Sequence, residues 1–261
     1  MSKPSDGTTR YELRKKLPPG TLLEISMELL TATIGYRPKG KAGPLQGDTV
    51  LVVPITVGGV VTSIEMIDGG GRKSFLAHGV TKGGWWSTQE LPDSDGTGLS
   101  IYVGEGIATT KAAGGIGVAA LMDSNLPAVA RMLRNHYPAG DICILADLLP
   151  NGTPNHHAVK AAQESGGRLF VPNFGPDRQP DQKDANDLFC LLGPEETARQ
   201  LANAKRVEPE AATQTAPKAQ NKPTPFSMRE LLAQQFDPVE FVISGLLAQG
   251  VYRSAYHPTR G

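Results

Sequence analysis

Apolar residues first become dense at Val50–Ile67, where two runs rich in β-branched residues flank Gly58-Gly59. Two such runs joined by a two-glycine turn predict a β-hairpin. Asp68-Gly-Gly-Gly71 ends the second run, and we expect a third strand in Lys73–Ala77. Residues 49–98 are therefore predicted to form a small antiparallel β region ahead of the main fold.

From Leu99 onward, apolar runs of strand length alternate with stretches in which apolar residues recur at helical spacing. The clearest helix follows Asp123-Ser-Asn125, has Pro127 in its first turn and stops at Pro138. Strand–helix repeats of this length favour a parallel sheet with right-handed crossovers. We therefore predict an α/β fold: a four-stranded parallel sheet flanked by helices and preceded by the antiparallel β region. The expected strands are Ser100–Val103, Val118–Leu121, Ile142–Ala146 and Arg168–Val171, and the other expected helices are Ile107–Ala113 and Asn155–Glu164.

The two ends of the chain differ from its middle in composition and periodicity. Residues 1–48 are predicted to be an N-terminal arm, polar and solvated at its start, followed by a short helix over Thr21–Thr33. The main α/β domain is expected over 99–205. Residues 206–226 are rich in Ala, Pro, Thr, Gln and Lys without periodicity, which is typical of a disordered linker.

Composition and charge exclude some classes of protein. Lys+Arg and Asp+Glu both total 26, so the overall charge neither favours nor excludes nucleic acid as a partner. No apolar run approaches the length of a membrane span, and the amino terminus lacks the apolar core of a secretory signal. Cys143 and Cys190 lie in apolar settings and do not form a metal-ligand pair. We expect a cytoplasmic protein that has no membrane association.

Carboxylates follow the expected strands at points where a ligand could reach them. Glu105 lies between two glycines after the first strand of the main domain, and Asp147 directly follows Ile142–Ala146. Ligands of open α/β sheets bind beyond the carboxyl ends of the strands, and Mg²⁺ prefers carboxylates together with substrate phosphates. We predict that Glu105, Asp147 and Asp184 meet in a Mg²⁺ (or Mn²⁺) site, with Asp187 as a further candidate ligand. For the aspartates, helix capping or a turn is the alternative role.

Basic and aromatic residues in the first half of the chain offer contacts for nucleic acid. Arg72, Lys73, Lys82 and Lys111 are candidate phosphate ligands, although ordinary solvated side chains would give the same pattern. Trp85-Trp86 could stack on bases or could cover the core, and covering the core is the commoner role beside a glycine loop.

The stretch from about Thr49 to Leu201 resembles the TOPRIM domain of phage- and plasmid-type DNA primases. The order and spacing of its short motifs carry this resemblance, and the main domain over 99–205 is the expected TOPRIM domain. The motifs are Val53-Pro-Ile55, Ile64-Glu-Met-Ile67, Lys73-Ser-Phe-Leu76, Val103-Gly-Glu-Gly-Ile-Ala-Thr109, Asn125-Leu-Pro-Ala-Val-Ala130, Ile144-Leu-Ala-Asp147, Asn151-Gly152, Ala161-Ala162 and Asp184-Ala-Asn-Asp-Leu188.

The resemblance implies metal-dependent nucleotidyl transfer: RNA primer synthesis on single-stranded DNA from nucleoside triphosphates, in the replication of a mobile element. By resemblance, Glu105 is an acid/base or an indirect metal ligand, Asp147 is the first aspartate of an Asp-x-Asp motif, and Asp184 is a third acidic position. The second aspartate of that motif is Leu149 here, so we expect weakened Mg²⁺ binding and impaired catalysis. The alternative is a non-catalytic nucleic-acid-binding remnant of a primase–helicase.

Two further patterns bear on nucleotides. Residues 227–261 open with a capping box and resemble the truncated start of a RecA-like helicase region, which implies a replicative helicase segment or partner. A phosphate loop needs Gly-x-x-x-x-Gly-Lys-Ser/Thr, whereas Tyr256 stands at the first glycine position and the sequence ends at Gly261. A third hypothesis, a nucleotide-binding α/β domain, rests on Gly114-Gly-Ile-Gly117, which does not match the dinucleotide fingerprint.

Overall fold

The computed structural model describes residues 1–207, and beyond them only the short antiparallel strands β14 (Phe241–Ile243) and β15 (Leu247–Ala248). Apart from those strands and residues 206–207, the expected linker and the helicase-like segment lie outside the described residues. The helices are α1 (Arg10–Lys15), α2 (Met27–Ile34), α3 (Ile107–Ala112), α4 (Leu126–His136), α5 (His156–Ser165) and α6 (Ala185–Ala202). The strands up to residue 207 are β1 (Lys3–Pro4), β2 (Leu23–Ser26), β3 (Lys39–Gly40), β4 (Gly43–Pro44), β5 (Thr49–Val57), β6 (Val60–Asp68), β7 (Lys73–Phe75), β8 (Trp86–Ser87), β9 (Ser100–Gly104), β10 (Ile116–Ala119), β11 (Asp141–Leu145), β12 (Arg168–Phe170) and β13 (Lys205–Arg206).

The predicted hairpin is the centre of an antiparallel sheet with the order β1-β2-β5-β6-β7. Gly58 and Gly59 both have positive φ, 59° and 83°, as a two-residue turn of type I′ requires. Successive residues of β5 point to opposite faces, and both faces are buried. Val50 and Val52 pack with α2, whereas Leu51 and Val53 pack with residues of α3 and β10. The sheet therefore shares a core with the second half of the molecule.

The amino-terminal segment is not the solvated arm that the sequence predicts, because it is paired and partly buried. Strand β1 pairs with β2, and Tyr11 and Leu17 are both only 5% exposed. The helix expected over Thr21–Thr33 begins only at Met27, because the residues before it form β2 against β5. Ser26 caps the helix by accepting a hydrogen bond from the Leu29 backbone N–H. Residues 23–26 form a strand because they pair with β5, although their apolar spacing alone favours a helix.

The second sheet confirms the predicted fold class. Its order is β13-β12-β11-β9-β10-β8, and β12, β11, β9 and β10 are parallel neighbours. These four strands are those predicted from the sequence, with ends shifted by one or two residues. Helices α4 and α5 cover one face, and the first part of α6 packs against Phe170 on the other. The chain is thus an α/β protein with a four-stranded parallel core preceded by an antiparallel sheet.

Helix α6 contains a break. Gly193 has a positive φ of 85° and Pro194 follows it, so the helix is interrupted there. The part of α6 before the break contains the apolar residues Leu188–Leu192. Within residues 1–207, no helix has both the length and the apolar character that crossing a bilayer requires.

Candidate functional site

The ends of two adjacent parallel strands place Glu105 and Asp147 at the same edge of the sheet. Strand β9 pairs with β11 in the register Val103 to Ile144, and each acidic residue follows its strand by one or two positions. The Glu105 carbonyl accepts a hydrogen bond from the Leu121 N–H at 2.8 Å, and the Asp147 carbonyl accepts one from the Asn155 N–H at 2.8 Å. Both turns are therefore held by backbone bonds to the next element.

Asp147 is the most unusual carboxylate of the site. Its side chain is only 13% exposed, and its Oδ2 accepts a hydrogen bond from the Lys183 ammonium at 3.0 Å. Its Oδ1 is buried and has no hydrogen-bond partner within the described part of the chain. Burial raises the pKa of Asp147 to about 6; Lys183 opposes that rise, and the negative charges of Asp184 and Glu105 add to it. Asp147 is therefore a buried carboxylate with one oxygen engaged by Lys183 and the other without a partner in the described residues.

Asp184 and Asp187 both cap helix α6. The Asp184 Oδ1 accepts from the Asp187 N–H at 2.8 Å, and the Asp187 Oδ2 accepts from the N–H groups of Asp184 and Lys183 at 3.4 and 3.1 Å. The other Asp187 oxygen accepts from the Lys15 ammonium at 3.0 Å. The capping role that the sequence left open is therefore present for both residues, and both oxygens of Asp187 are already engaged.

Glu105 differs from the aspartates because its carboxylate makes no ion pair or hydrogen bond with residues 1–207. It is partly buried at the turn that leads into α3. Burial raises its pKa, with Asp123 and Glu65 adding to the rise and Lys183 and Lys73 opposing it. Glu105 is thus a partly buried carboxylate without a partner among residues 1–207.

The antiparallel sheet contributes a pair that the sequence analysis missed in part. Lys73 was proposed as a phosphate ligand, and its Nζ lies 3.3 Å from the carboxylate of Glu65, whose side chain is 2% exposed. Burial is the largest single effect and lowers the pKa of Lys73, but the charges of Glu65, Tyr11 and Glu105 and the hydrogen bond to Glu65 together raise it above its ordinary value. The sequence does contain an indication of the role of Glu65, because it is an acidic residue inside the apolar run Ile64–Ile67.

The other predicted basic residues have different surroundings. Arg72 pairs with Asp68 at 3.5 Å within the turn after β6, and Lys82 is exposed in the loop before β8. Lys111 lies in the last turn of α3, where it lines a concavity of about 320 Å³. Its other lining residues include Lys15, Lys16 and Phe189. Lys73 is therefore paired with Glu65 of the antiparallel sheet, whereas Lys111 belongs to a separate basic concavity.

Trp85 and Trp86 contribute to packing. Trp85 is partly buried against the core of the parallel sheet, and Trp86 against the core that joins the two sheets. Both tryptophans therefore cover the core, which is the commoner of the two roles that the sequence allows.

Glu105, Asp147 and Asp184, called the acidic cluster below, do not form a complete metal site by themselves within the described residues. The unpartnered Asp147 Oδ1 and the Glu105 carboxylate are hard oxygen donors of the kind that Mg²⁺ prefers. The position of the second aspartate is filled by Leu149, whose side chain is 38% exposed and has no donor atom. Among the described residues, no three His, Cys, Asp or Glu side chains are grouped closely enough to hold a metal ion by themselves. An ion here would need substrate oxygens to complete its coordination.

Two comparisons with known proteins complete this description. No family model matches the chain, so membership of the TOPRIM family stays a prediction. Among solved structures, the chain is similar to the primase fragment of the bacteriophage T7 primase-helicase protein, with a TM-score of 0.42 and 16% sequence identity. The match covers 67% of this chain and 70% of that chain.

Proposed function

We propose that this chain is a primase-type TOPRIM module that carries out metal-dependent nucleotidyl transfer, the synthesis of RNA primers on single-stranded DNA, in mobile-element replication. One observation carries the proposal: Glu105 and Asp147 lie at adjacent strand ends, and Asp147 is a buried carboxylate that has one oxygen without a partner in the described residues and the other paired with Lys183. Carboxylates for a metal ion and ammonium groups for a triphosphate are the donor set that phosphoryl transfer needs.

Each side chain has a role in this proposal. Asp147 would hold Mg²⁺ (or Mn²⁺) directly and Glu105 indirectly; the ion, when bound, would polarise a phosphoryl oxygen and neutralise developing charge. Lys73 supplies positive charge toward the nucleoside triphosphate from the antiparallel sheet. Glu105, whose pKa is raised by burial, is suited to accept the proton of the primer hydroxyl. Asp184 keeps the start of α6 in place and adds negative charge.

The basic concavity formed by Lys15, Lys16, Lys111 and Phe189 is the proposed path of the template strand. The ammonium groups of Lys16 and Lys111 would attract backbone phosphates, since Lys15 is paired with Asp187, and the partly exposed ring of Phe189 can stack on a base. Lys16 also lies 5.8 Å from the centre of the Phe189 ring, so charge and ring are presented together. A replicative helicase, as a continuing segment or as a partner, would deliver the strand.

A priming assay tests the catalytic proposal. Wild-type protein, single-stranded DNA, labelled nucleotides and Mg²⁺ or Mn²⁺ should give short RNA products, and chelation should abolish them. Glu105→Gln and Asp147→Asn should each lower the rate by about a hundredfold or more, since each removes charge from the reacting centre. Glu164→Gln, which alters an exposed ion pair with Arg131, is the matched control. Product formation that is unchanged in both site variants would exclude the proposed site.

A second candidate is a non-catalytic nucleic-acid-binding module. It is favoured by Leu149, which replaces a metal ligand, and by the engagement of Asp147 with Lys183. This candidate predicts salt-sensitive binding of single-stranded DNA without any primer product under either metal. Efficient primer synthesis would exclude it.

A further inference from the structure

The basic concavity has the lining of a pocket for one nucleobase. Its volume of about 320 Å³ lies within the usual range of small-molecule sites, about 300–1,000 Å³. Apolar walls with a few polar groups are typical of such sites, whereas a surface that only follows a phosphate backbone needs no apolar wall. The apolar lining residues are Leu17, Pro18, Ala112 and Phe189, and the polar ones are Lys15, Lys16, Lys111 and Asn186.

Asn186 gives the concavity a buried hydrogen-bonding group. The residue is 2% exposed, and its Nδ2 donates one hydrogen bond to the Lys15 carbonyl at 2.8 Å. A side-chain amide carries two donor hydrogens and an acceptor oxygen, so the second N–H remains for a ligand. In the described chain, the Asn186 Oδ1 accepts only from the weakly donating thiol of Cys190, at 3.8 Å. A donor and an acceptor side by side are the groups with which an amide pairs with the edge of a base.

Phe189 gives the concavity a ring for stacking. It is partly exposed and follows Asn186 by three residues in α6, so the two side chains lie on the same face of the helix. The Lys16 ammonium is 5.8 Å from the ring centre, at the outer limit of cation–π contact, which is about 6 Å. It also donates to the Cys190 carbonyl at 3.2 Å, which leaves two of its three hydrogens for a phosphate.

The backbone of Lys16 adopts a conformation in which glycine is the usual residue. Its φ is 50° and its ψ is 40°, in the left-handed region, where it caps the end of α1. Its N–H donates to the Leu13 carbonyl at 3.2 Å. Glycine is favoured at such caps because a Cβ disfavours this region. A lysine held in this conformation beside the Phe189 ring indicates a role for its side chain at the concavity.

We propose that the basic concavity takes up a single unstacked base of a DNA strand, with the face of the base against Phe189 and its edge against the Asn186 amide. This inference rests on the template path of the proposed function, and it adds that the strand is held by a base as well as by its phosphates. A base inside a duplex is stacked and paired on its edge, so the pocket selects single-stranded DNA.

Matched strands test the inference by direct binding. Fluorescence anisotropy compares the affinity for a single-stranded oligonucleotide with that for an abasic strand of the same length and phosphate number. Stacking on an aromatic ring should make the base-containing strand bind about tenfold more tightly to the wild type. Phe189→Leu keeps an apolar side chain without the ring and should bring this ratio close to one, whereas Phe189→Tyr should preserve it. Phe174→Leu is the matched control, because Phe174 packs against the core at Phe170 and Leu188 and does not line the concavity.

A second readout uses the wild-type protein and does not depend on the folding of any variant. A strand that carries iodouracil is photocrosslinked to the protein, and mass spectrometry should locate the crosslink at Phe189. Free thymidine monophosphate distinguishes a strand from a free nucleotide as the source of the base. It has a single phosphate and should compete far more weakly than the strand. A monophosphate that binds as tightly as the strand would assign the pocket to free nucleotides and contradict the inference.

Two binding results would overturn the inference: equal affinity of the wild type for the two strands, or a preference for bases that Phe189→Leu leaves unchanged. Crosslinks confined to other residues would overturn it as well. The priming assay is a separate measurement. Absence of priming with a Phe189-dependent preference for bases would contradict only the proposed function, whereas priming without that preference would contradict only this inference.

Discussion

Asp147 couples the stability of the fold to pH. Its folded pKa of about 6 lies above the ordinary value of 3.8, so the folded state holds the proton more tightly than the unfolded state. The contribution of Asp147 to stability should therefore be fully present below pH 4, decline as the pH rises toward 6, and then level off. The full shift corresponds to about 3 kcal/mol.

Asp147→Asn should remove this decline. In metal-free buffer, urea unfolding at pH 4, 5, 6 and 7.5 is expected to show the variant and the wild type diverging as the pH rises, with the variant more stable at pH 7.5. Lys183 loses its partner in the variant at small cost, because half of its side chain is already in water. A gap that widens toward low pH would contradict the assigned cause.

The ion pair of Glu65 and Lys73 gives a second prediction about stability. Glu65 is 1% exposed, and Lys73 is its ion-pair partner. Lys73→Met leaves a buried carboxylate uncompensated, which typically costs about 3 kcal/mol or more. Urea unfolding at pH 8 should show that loss, and the double variant Glu65→Gln/Lys73→Met should recover most of it. A double variant no more stable than the single one would mean that the pair does not couple.

The candidate site was predictable from sequence only where local pattern places a residue. Glu105 and Asp147 follow apolar strands, so their position at one sheet edge follows from the parallel arrangement alone. The pairing of Lys183 with Asp147 joins residues 36 positions apart, and no local pattern contains it. The roles of all these residues in catalysis stay predictions.

At the scale of elements, segments with a strong local pattern were predicted correctly, whereas elements near the amino terminus were not. The hairpin β5–β6 has a two-glycine turn that specifies its register, and α4 has a complete apolar stripe. Helix α1 has only six residues and gains its place from distant contacts with the start of α6. The Asn186 side chain donates to the Lys15 carbonyl at 2.8 Å, for example, across 171 residues of sequence. Such contacts are invisible in the sequence of the arm.

The capping box of α6 allows a structural role to be separated from a metal-binding role. Asp184→Ala removes the acceptor for the Asp187 N–H and should destabilise the protein by about 1 kcal/mol. Asp184→Asn keeps an acceptor and should preserve stability, while its lost charge weakens Mn²⁺ binding. Thermal unfolding and Mn²⁺ titration of both variants check this expectation. Equal Mn²⁺ affinity in Asp184→Asn and wild type would leave Asp184 with capping alone.

At the scale of the whole molecule, the two sheets are joined by one core, in which Leu51 and Val53 meet Ile107 and Ala119. This junction places the charge of Glu105, on the second sheet, where it acts on Lys73 of the first, and it also brings α1 beside α3 and α6. The acidic cluster and the basic concavity are both products of the junction, so neither half of the chain would present them alone.

The basic concavity gives a prediction that tests this arrangement against nucleic acid. If Lys16 and Lys111 contact backbone phosphates, each of Lys16→Gln and Lys111→Gln should reduce the slope of log affinity against log salt by about 0.7 on single-stranded DNA, whatever its sequence. Fluorescence anisotropy with two unrelated oligonucleotides over a range of salt concentrations measures this slope. Lys160→Gln, on the exposed face of α5, should leave the slope unchanged. Equal slopes in all three variants would place the template path elsewhere, because a lost phosphate contact must release fewer counterions.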